Sequence, residues 1–153
     1  ASYQPLSDNL TLKLTGSFGL ISGYSGEEVP FFKRHFGGGS GSVRGFGNKS
    51  LGPTYPNSTA KGGEISVLGS VNIISPASFI NNSENMRVSA FVDTGNIFEK
   101  SSSMKLGDLR MSTGVAFAYL SPIGAIGAYW STPIMKKTGD DIENFSFSLG
   151  TGF

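Results

Sequence analysis

Cysteine is absent from the 153 residues, so neither a disulfide framework nor a thiolate metal site is available. Histidine occurs once, at His35, with no second ligand spaced near it, and is read as a loop or packing residue rather than a metal ligand. A Ser-His-Asp triad would have to use that same residue, and no nucleophile-elbow motif accompanies it. Charge is scarce: Asp, Glu, Lys and Arg make up 15% of the chain, against about a quarter in ordinary soluble domains. The formal net charge of +1 leaves no polyanion footprint, so nucleic acid is not an expected partner. No apolar run reaches the ~20 residues of a transmembrane helix. The longest weakly polar run, 114–134, is interrupted by Ser121-Pro122 and several small residues. No n-region and h-region pair opens the chain, so no signal peptide is expected in it. The one glycine-rich stretch lacks the Lys-Ser/Thr ending of a phosphate loop and follows no βαβ pattern. Catalysis, a bound metal and an organic cofactor are therefore not expected.

What the chain does have is alternation. In 10–18, Leu10, Leu12 and Leu14 oppose Thr11, Lys13, Thr15 and Ser17, the period-two pattern of a strand. The same pattern predicts strands at 64–74, 86–95, 109–120, 125–132 and 145–153. Ser75-Pro76 closes the second, because proline cannot donate to a ladder. In the third, Met86, Val88, Ala90 and Val92 oppose Arg87, Ser89, Phe91 and Asp93. The period of 125–132 is the least clear, since Tyr129 and Trp130 are adjacent. The last strand sets Phe145, Phe147, Leu149, Thr151 and Phe153 against Ser146, Ser148, Gly150 and Gly152. Residues 3–9 read as the tail of an extended segment followed by a tight turn.

Six strands with no helix to cover them leave two architectures. In a soluble sandwich the far faces would carry surface residues, yet here they are Ser, Thr, Gly and Ala rather than Lys and Glu. Connections alternate in length: long (19–63), short, medium (96–108), very short (121–124) and medium (135–144), as in a transmembrane barrel with turns on one side and loops on the other. Strands of about nine to eleven residues at ~3.3 Å each, tilted ~40°, span roughly 23–28 Å, near the ~25 Å apolar band of an outer-membrane barrel. These features favour an all-β antiparallel transmembrane barrel. Six strands are too few to close one, because an open sheet leaves edge groups unpaired in lipid. The chain is thus expected to be the C-terminal part of a larger barrel, or to complete its ladder by pairing with another copy or by an irregular closure.

The 19–63 segment is far longer than an ordinary loop, which points to function or disorder. Its phenylalanines Phe31, Phe32 and Phe36 argue against plain disorder. Within it, residues 37–47 carry six glycines, one cation, Arg44, and two apolar side chains, Val43 and Phe46. Such a stretch serves either as a flexible linker or as an ordered loop that carries Arg44 to a partner. Asp93 lies mid-strand on a polar face, where a carboxylate is uncommon unless paired, and alternation puts Asn72 on the equivalent face of its own strand. A loop folded back over that face would let Arg44 reach both, with the guanidinium fork forming directional bonds to the carboxylate.

Val43-Arg44-Gly45-Phe46, preceded by Gly37-Gly38-Gly39-Ser40 and followed by Leu51-Gly52-Pro53, resembles the sixth-loop motif of the outer-membrane assembly superfamily. The similarity continues through Phe91-Val92-Asp93-Thr94-Gly95, Leu109-Arg110-Met111-Ser112, Gly114-Val115 and Ser121-Pro122-Ile123-Gly124 to Phe153, covering essentially the whole chain. It implies amino-terminal periplasmic POTRA domains outside this chain and a sixteen-stranded barrel of the bacterial surface antigen type. Residues 1–153 would supply about the last six strands, and 19–63 the long extracellular loop folded into the lumen. The resemblance gives Arg44 an acidic partner at Asp93. Asn72 falls where relatives can carry a glutamate, so the second contact would be neutral here. Gly45 and Phe46 complete the motif, and Phe145, Phe147, Leu149 and Phe153 would form the terminal-strand targeting signal. The function implied is the core subunit of the machinery that folds and inserts barrel proteins into the Gram-negative outer membrane, without cofactor. The alternative is a two-partner-type polypeptide secretion pore of the same superfamily. Implied partners are outer-membrane lipids, unfolded outer-membrane protein clients, and assembly-machinery lipoproteins reached mainly through the periplasmic domains. Self-association through open sheet edges is a further expectation.

Overall fold

The computed structural model describes residues 1–25, 27–77, 84–122 and 124–149. Its main sheet is an antiparallel meander built from β1 (Ser2–Ser7), β2 (Leu10–Leu20), β4 (Ile65–Pro76), β5 (Met86–Phe98), β6 (Arg110–Ser121), β7 (Gly124–Met135) and β9 (Phe145–Leu149). Two short strands, β3 (Gly45–Phe46) and β8 (Ile142–Glu143), leave this order and pair with each other. The long strands form where side chains alternate between apolar and small polar, and proline stands at the end of β4.

Two expectations need correction. The main sheet has seven described strands rather than six, because the segment read as an extended tail pairs along β2 from Ser2 opposite Leu14 to Ser7 opposite Leu10. Pro5 and a register shift hide its period, features that a strand at a sheet edge tolerates. β5 also runs three residues past its expected end. Asn96, Ile97 and Phe98 pair with Val67, Ser66 and Ile65, and all three are buried, Ile97 against Gly37 and Gly52 of the long loop and Asn96 with its Nδ2 donating to the Asp108 carbonyl at 2.9 Å.

The two faces of the sheet differ in chemistry. On one, cross-strand neighbours are apolar and open: Phe18 beside Val67, Val92 beside Val71, Trp130 between Val115 and Phe145. Phe18, Val115 and Trp130 are 66%, 60% and 61% exposed, and no second layer packs on this face among the described residues. A water-soluble sheet would bury such a surface. The other face carries the small polar side chains and is covered by the 19–63 segment. The best-buried cluster lies between this segment and the sheet, where Val43, Phe46 and Leu51 pack against Leu68 of β4 and Ile142 of β8. Below them a cavity of about 430 Å³ remains, lined in part by Lys13, Arg44, Arg87, Asp93, Ile74 and Tyr129. The inner face is therefore only partly packed.

Candidate functional site

The glycine-rich stretch folds as successive tight turns. Ser42 N–H donates to the Gly39 carbonyl at 3.2 Å, and Gly39 N–H to the Phe46 carbonyl at 2.9 Å. Gly38 N–H donates to Ser42 Oγ at 2.6 Å, and Leu51 N–H closes the base on the Gly37 carbonyl at 2.9 Å. Gly45 adopts φ +91°, and a Cβ there would lie 3.1 Å from Ser131 Oγ and 3.3 Å from Ser112 Cβ. A glycine at this position lets the motif backbone lie against β6 and β7.

These turns present Arg44 to the wall. Its Nε donates to Asp93 Oδ2 at 2.7 Å and its Nη2 to Asp93 Oδ1 at 2.8 Å, a side-on fork. Arg44 backbone N–H adds a bond to Asp93 Oδ2 at 3.1 Å. Nη2 also reaches Asn72 Oδ1 at 2.8 Å, and Ser112 Oγ donates to the Arg44 carbonyl. Ser70 Oγ donates to Asp93 Oδ1 at 2.6 Å and accepts from Asn72 Nδ2 at 2.8 Å, which orients both acceptors. The guanidinium carbon sits 3.4 Å from the centroid of the Phe91 ring, and that ring meets Tyr129 edge-on at 6.3 Å. Phe91 lies opposite Gly114 of β6, whose missing side chain leaves the ring its place. The Asp93 side chain is 1% exposed and that of Arg44 12%, so the pair is almost fully removed from bulk water.

The structure thus brings Arg44, Asp93 and Asn72 together, with Gly45 seated beside them on Ser112 and Ser131 and Phe46 in the apolar cluster of Val43 and Leu51. Phe145, Phe147 and Leu149 lie on the opposite, open face, with Phe145 edge-on to Trp130 at 6.4 Å. Phe153, with Gly150 and Gly152, lies outside the described residues. His35 bridges Gly63 through its backbone, at 2.8 and 3.0 Å, and its imidazole lies over Gly19. Among the described residues no three His, Cys, Asp or Glu side chains are placed to share a metal ion. What the geometry of the cluster can do is hold a loop: the Asp93 carboxylate is taken up by Arg44 and Ser70. The sequence gives Ser70, Phe91 and Ser112 no role in holding the loop. Phe91 had a signal, an aromatic two residues from Asp93 on a polar face, whereas Ser112 needs the cross-strand register.

A second fork lies at the loop end of the sheet. Arg110 Nε and Nη2 donate to Asp140 Oδ2 and Oδ1 at 2.9 and 2.8 Å, and Lys137 N–H donates to the same carboxylate at 2.7 Å. Burial pushes the Asp140 carboxyl up, but the Arg110 fork and the Lys137 N–H outweigh it and leave the group below the usual aspartate range. The Lys137 ammonium likewise lowers Asp108 nearby. A depressed carboxylate adds stability that is complete above its unfolded pKa of about 3.9 and is lost as pH falls through its folded value. The 136–141 segment should therefore stay closed at neutral pH and open below about pH 4. Arg110→Ala should move that opening to higher pH, as read by hydrogen exchange of 136–141 from pH 6 downward. An unchanged acid profile in the variant would count against the fork.

A family model for the Omp85 superfamily domain matches residues 1–153. The chain is 33% identical over 178 aligned positions to the outer membrane protein assembly factor BamA of Neisseria meningitidis serogroup B, covering 97% of this chain and 22% of that protein. A SAM50-like protein of Schizosaccharomyces pombe is 24% identical over 153 positions, covering 95% of this chain and 32% of its own. Among solved structures, the crystal structure of BamA from Haemophilus ducreyi lacking POTRA domains 1–3 superposes with a TM-score of 0.80 at 33% identity, over 95% of this chain and 32% of that one. The chain thus spans between about a fifth and a third of the length of these relatives.

Proposed function

Because the chain belongs to the Omp85 superfamily, we propose that it is the C-terminal portion of an outer-membrane β-barrel whose whole protein folds and inserts other barrel proteins. The observation that carries this reading is the pairing of two opposite surfaces on one sheet. The outer face is apolar and open, suited to lipid, while the inner face holds the motif loop through the Arg44–Asp93 fork. In this reading β2, β4, β5, β6, β7 and β9 are the last six of sixteen strands, and the short β1 is the end of the strand before them. The 19–63 segment is then the long extracellular loop folded into the lumen, locked by Arg44, Asp93 and Asn72.

The role is non-enzymatic and needs no cofactor, because strand addition at a sheet edge uses only backbone hydrogen bonds and burial. Partners are the lipids around the outer face and unfolded barrel clients. Lipoproteins of the machinery would bind through domains outside this chain. The cellular site is the outer membrane of a Gram-negative bacterium. Depletion of the full-length protein from its host should lower the folded fraction of many outer-membrane barrels together, read as loss of their heat-modifiable bands. Retention of one secreted polypeptide with barrel assembly unchanged would instead establish the secretion-pore alternative.

A further inference from the structure

The last strand does not begin where its neighbour ends. β7 runs to Met135, yet β9 pairs with it only as far as Phe145 opposite Trp130, where Ser131 N–H donates to the Asn144 carbonyl at 2.7 Å. Beyond that point Thr132, Pro133 and Met135 keep their β6 partners, Thr113, Ser112 and Met111, and no strand pairs with their other edge among the described residues. Extending the β7–β9 register by one more hydrogen-bonded pair would set Ile142 opposite Pro133. Proline has no N–H to give, so the ladder is blocked at that donor. A bulge follows at once, with Ile134 extra between Pro133 and Met135.

Residues 141–143 go elsewhere. Ile142 and Glu143 pair with Phe46 and Gly45, and the Asp141 carbonyl accepts Gly47 N–H at 3.0 Å. Ile142 also packs on the Val43–Phe46–Leu51 cluster. The turn just before is tied to β6 by the Arg110–Asp140 fork. The backbone of the lead-in to the terminal strand is thus satisfied by the motif loop instead of by the sheet.

We infer that the motif loop and the terminal strand form one coupled element: the loop seated by Arg44 captures residues 141–143, and this capture, with Pro133, sets how far the terminal strand pairs with β7. The Arg44 clamp then controls the length of the last ladder as well as the position of its own loop. Coupling of this kind is reciprocal, so displacing the terminal strand's lead-in also weakens the loop's seat. The coupling is a property of this chain whatever the whole protein does.

Hydrogen exchange on the full-length protein in lipid nanodiscs tests it. Ile142 pairs with Phe46 and packs on the Val43–Phe46–Leu51 cluster, so Ile142→Ala frees residues 141–143 from the loop while leaving Arg44, Asp93 and Asn72 in place. Exchange at 141–144 should become at least ~10-fold faster, with the β6–β7 ladder unchanged. Asp93→Ala, which reaches these residues only through the loop, should do the same. Adding Pro133→Val to Ile142→Ala supplies the missing donor and should restore protection by zipping residue 142 onto β7. Unchanged exchange at 141–144 in either folded single variant overturns the coupling.

Discussion

Replacing Asp93 with alanine is expected to unfasten the motif loop from the wall, raising proteolysis and hydrogen exchange across residues 37–51 by about 100-fold or more. The reasoning starts from burial. Removing one partner of a buried ion pair costs about 3–5 kcal/mol, because the other charge is left buried without compensation. Arg44, 12% exposed, would lose three hydrogen bonds to the carboxylate, and only Asn72 and Ser70 acceptors would remain for it. At 1.4 kcal/mol per tenfold, the lower end of that range is already about two orders of magnitude in the loop's opening equilibrium. Asn72→Ala removes a single neutral acceptor from a charged donor, worth about 1.5–3 kcal/mol, so its effect should be smaller by roughly tenfold or more. Limited proteolysis of both variants in native membranes orders them. Equal loosening by the two would mean that the fork is not the principal hold, and a loop as resistant as the wild type in Asp93→Ala would sink the clamp altogether. If the loop's seating matters to the whole protein's work, barrel assembly in the host should fall in the same order.

Much of this arrangement was legible in alternation alone. A side chain's face follows from counting by two along a strand, and that count puts Asp93, Phe91 and the polar residues of β5 on one side and Val88, Ala90 and Val92 on the other. The structure has the same division. Adjacent Tyr129 and Trp130 left β7 ambiguous because either could face inward. Packing resolves it: Tyr129 goes in beneath Phe91 and Trp130 goes out beside Phe145. What counting cannot supply is register between strands, so Ser112 and Ser131, which line the seat of Gly45, were out of reach. Nor does a two-residue strand carry a period. Residues 142–143 read as part of a charged connection, and their pairing with Gly45 and Phe46 depends on a loop nearly a hundred positions earlier in the chain. Ile97 and Phe98 failed for a related reason. They follow Gly95 and precede a polar run, and it is Gly37 and Gly52 of the loop lying on Ile97, with Gly63 against the Phe98 backbone, that make this end of the strand core.

Phe46→Ala should release the loop and the lead-in to the terminal strand together, with a loss of about 3–5 kcal/mol. Phe46 has no exposed surface and joins three parts: the motif loop through Val43 and Leu51, the wall through Leu68, and the terminal lead-in through Ile142. A buried ion pair fixes position more than it adds net stability, since desolvation of both charges offsets most of their attraction. The apolar plug has no such offset, so burial of Phe46 should supply the larger net stabilisation, with Arg44 and Asp93 setting where the loop sits. The two contributions separate experimentally. Phe46→Leu keeps most of the buried volume and should cost less than about 1.5 kcal/mol, while Arg44→Lys keeps the charge but loses the fork. Phe46→Ala should therefore raise exchange at both 45–47 and 141–144 with the fork's residues untouched, and Phe46→Leu should leave both nearly as protected as before. Protection of 141–144 that survives Phe46→Ala would show that the lead-in is held by the Arg110–Asp140 fork rather than by the plug.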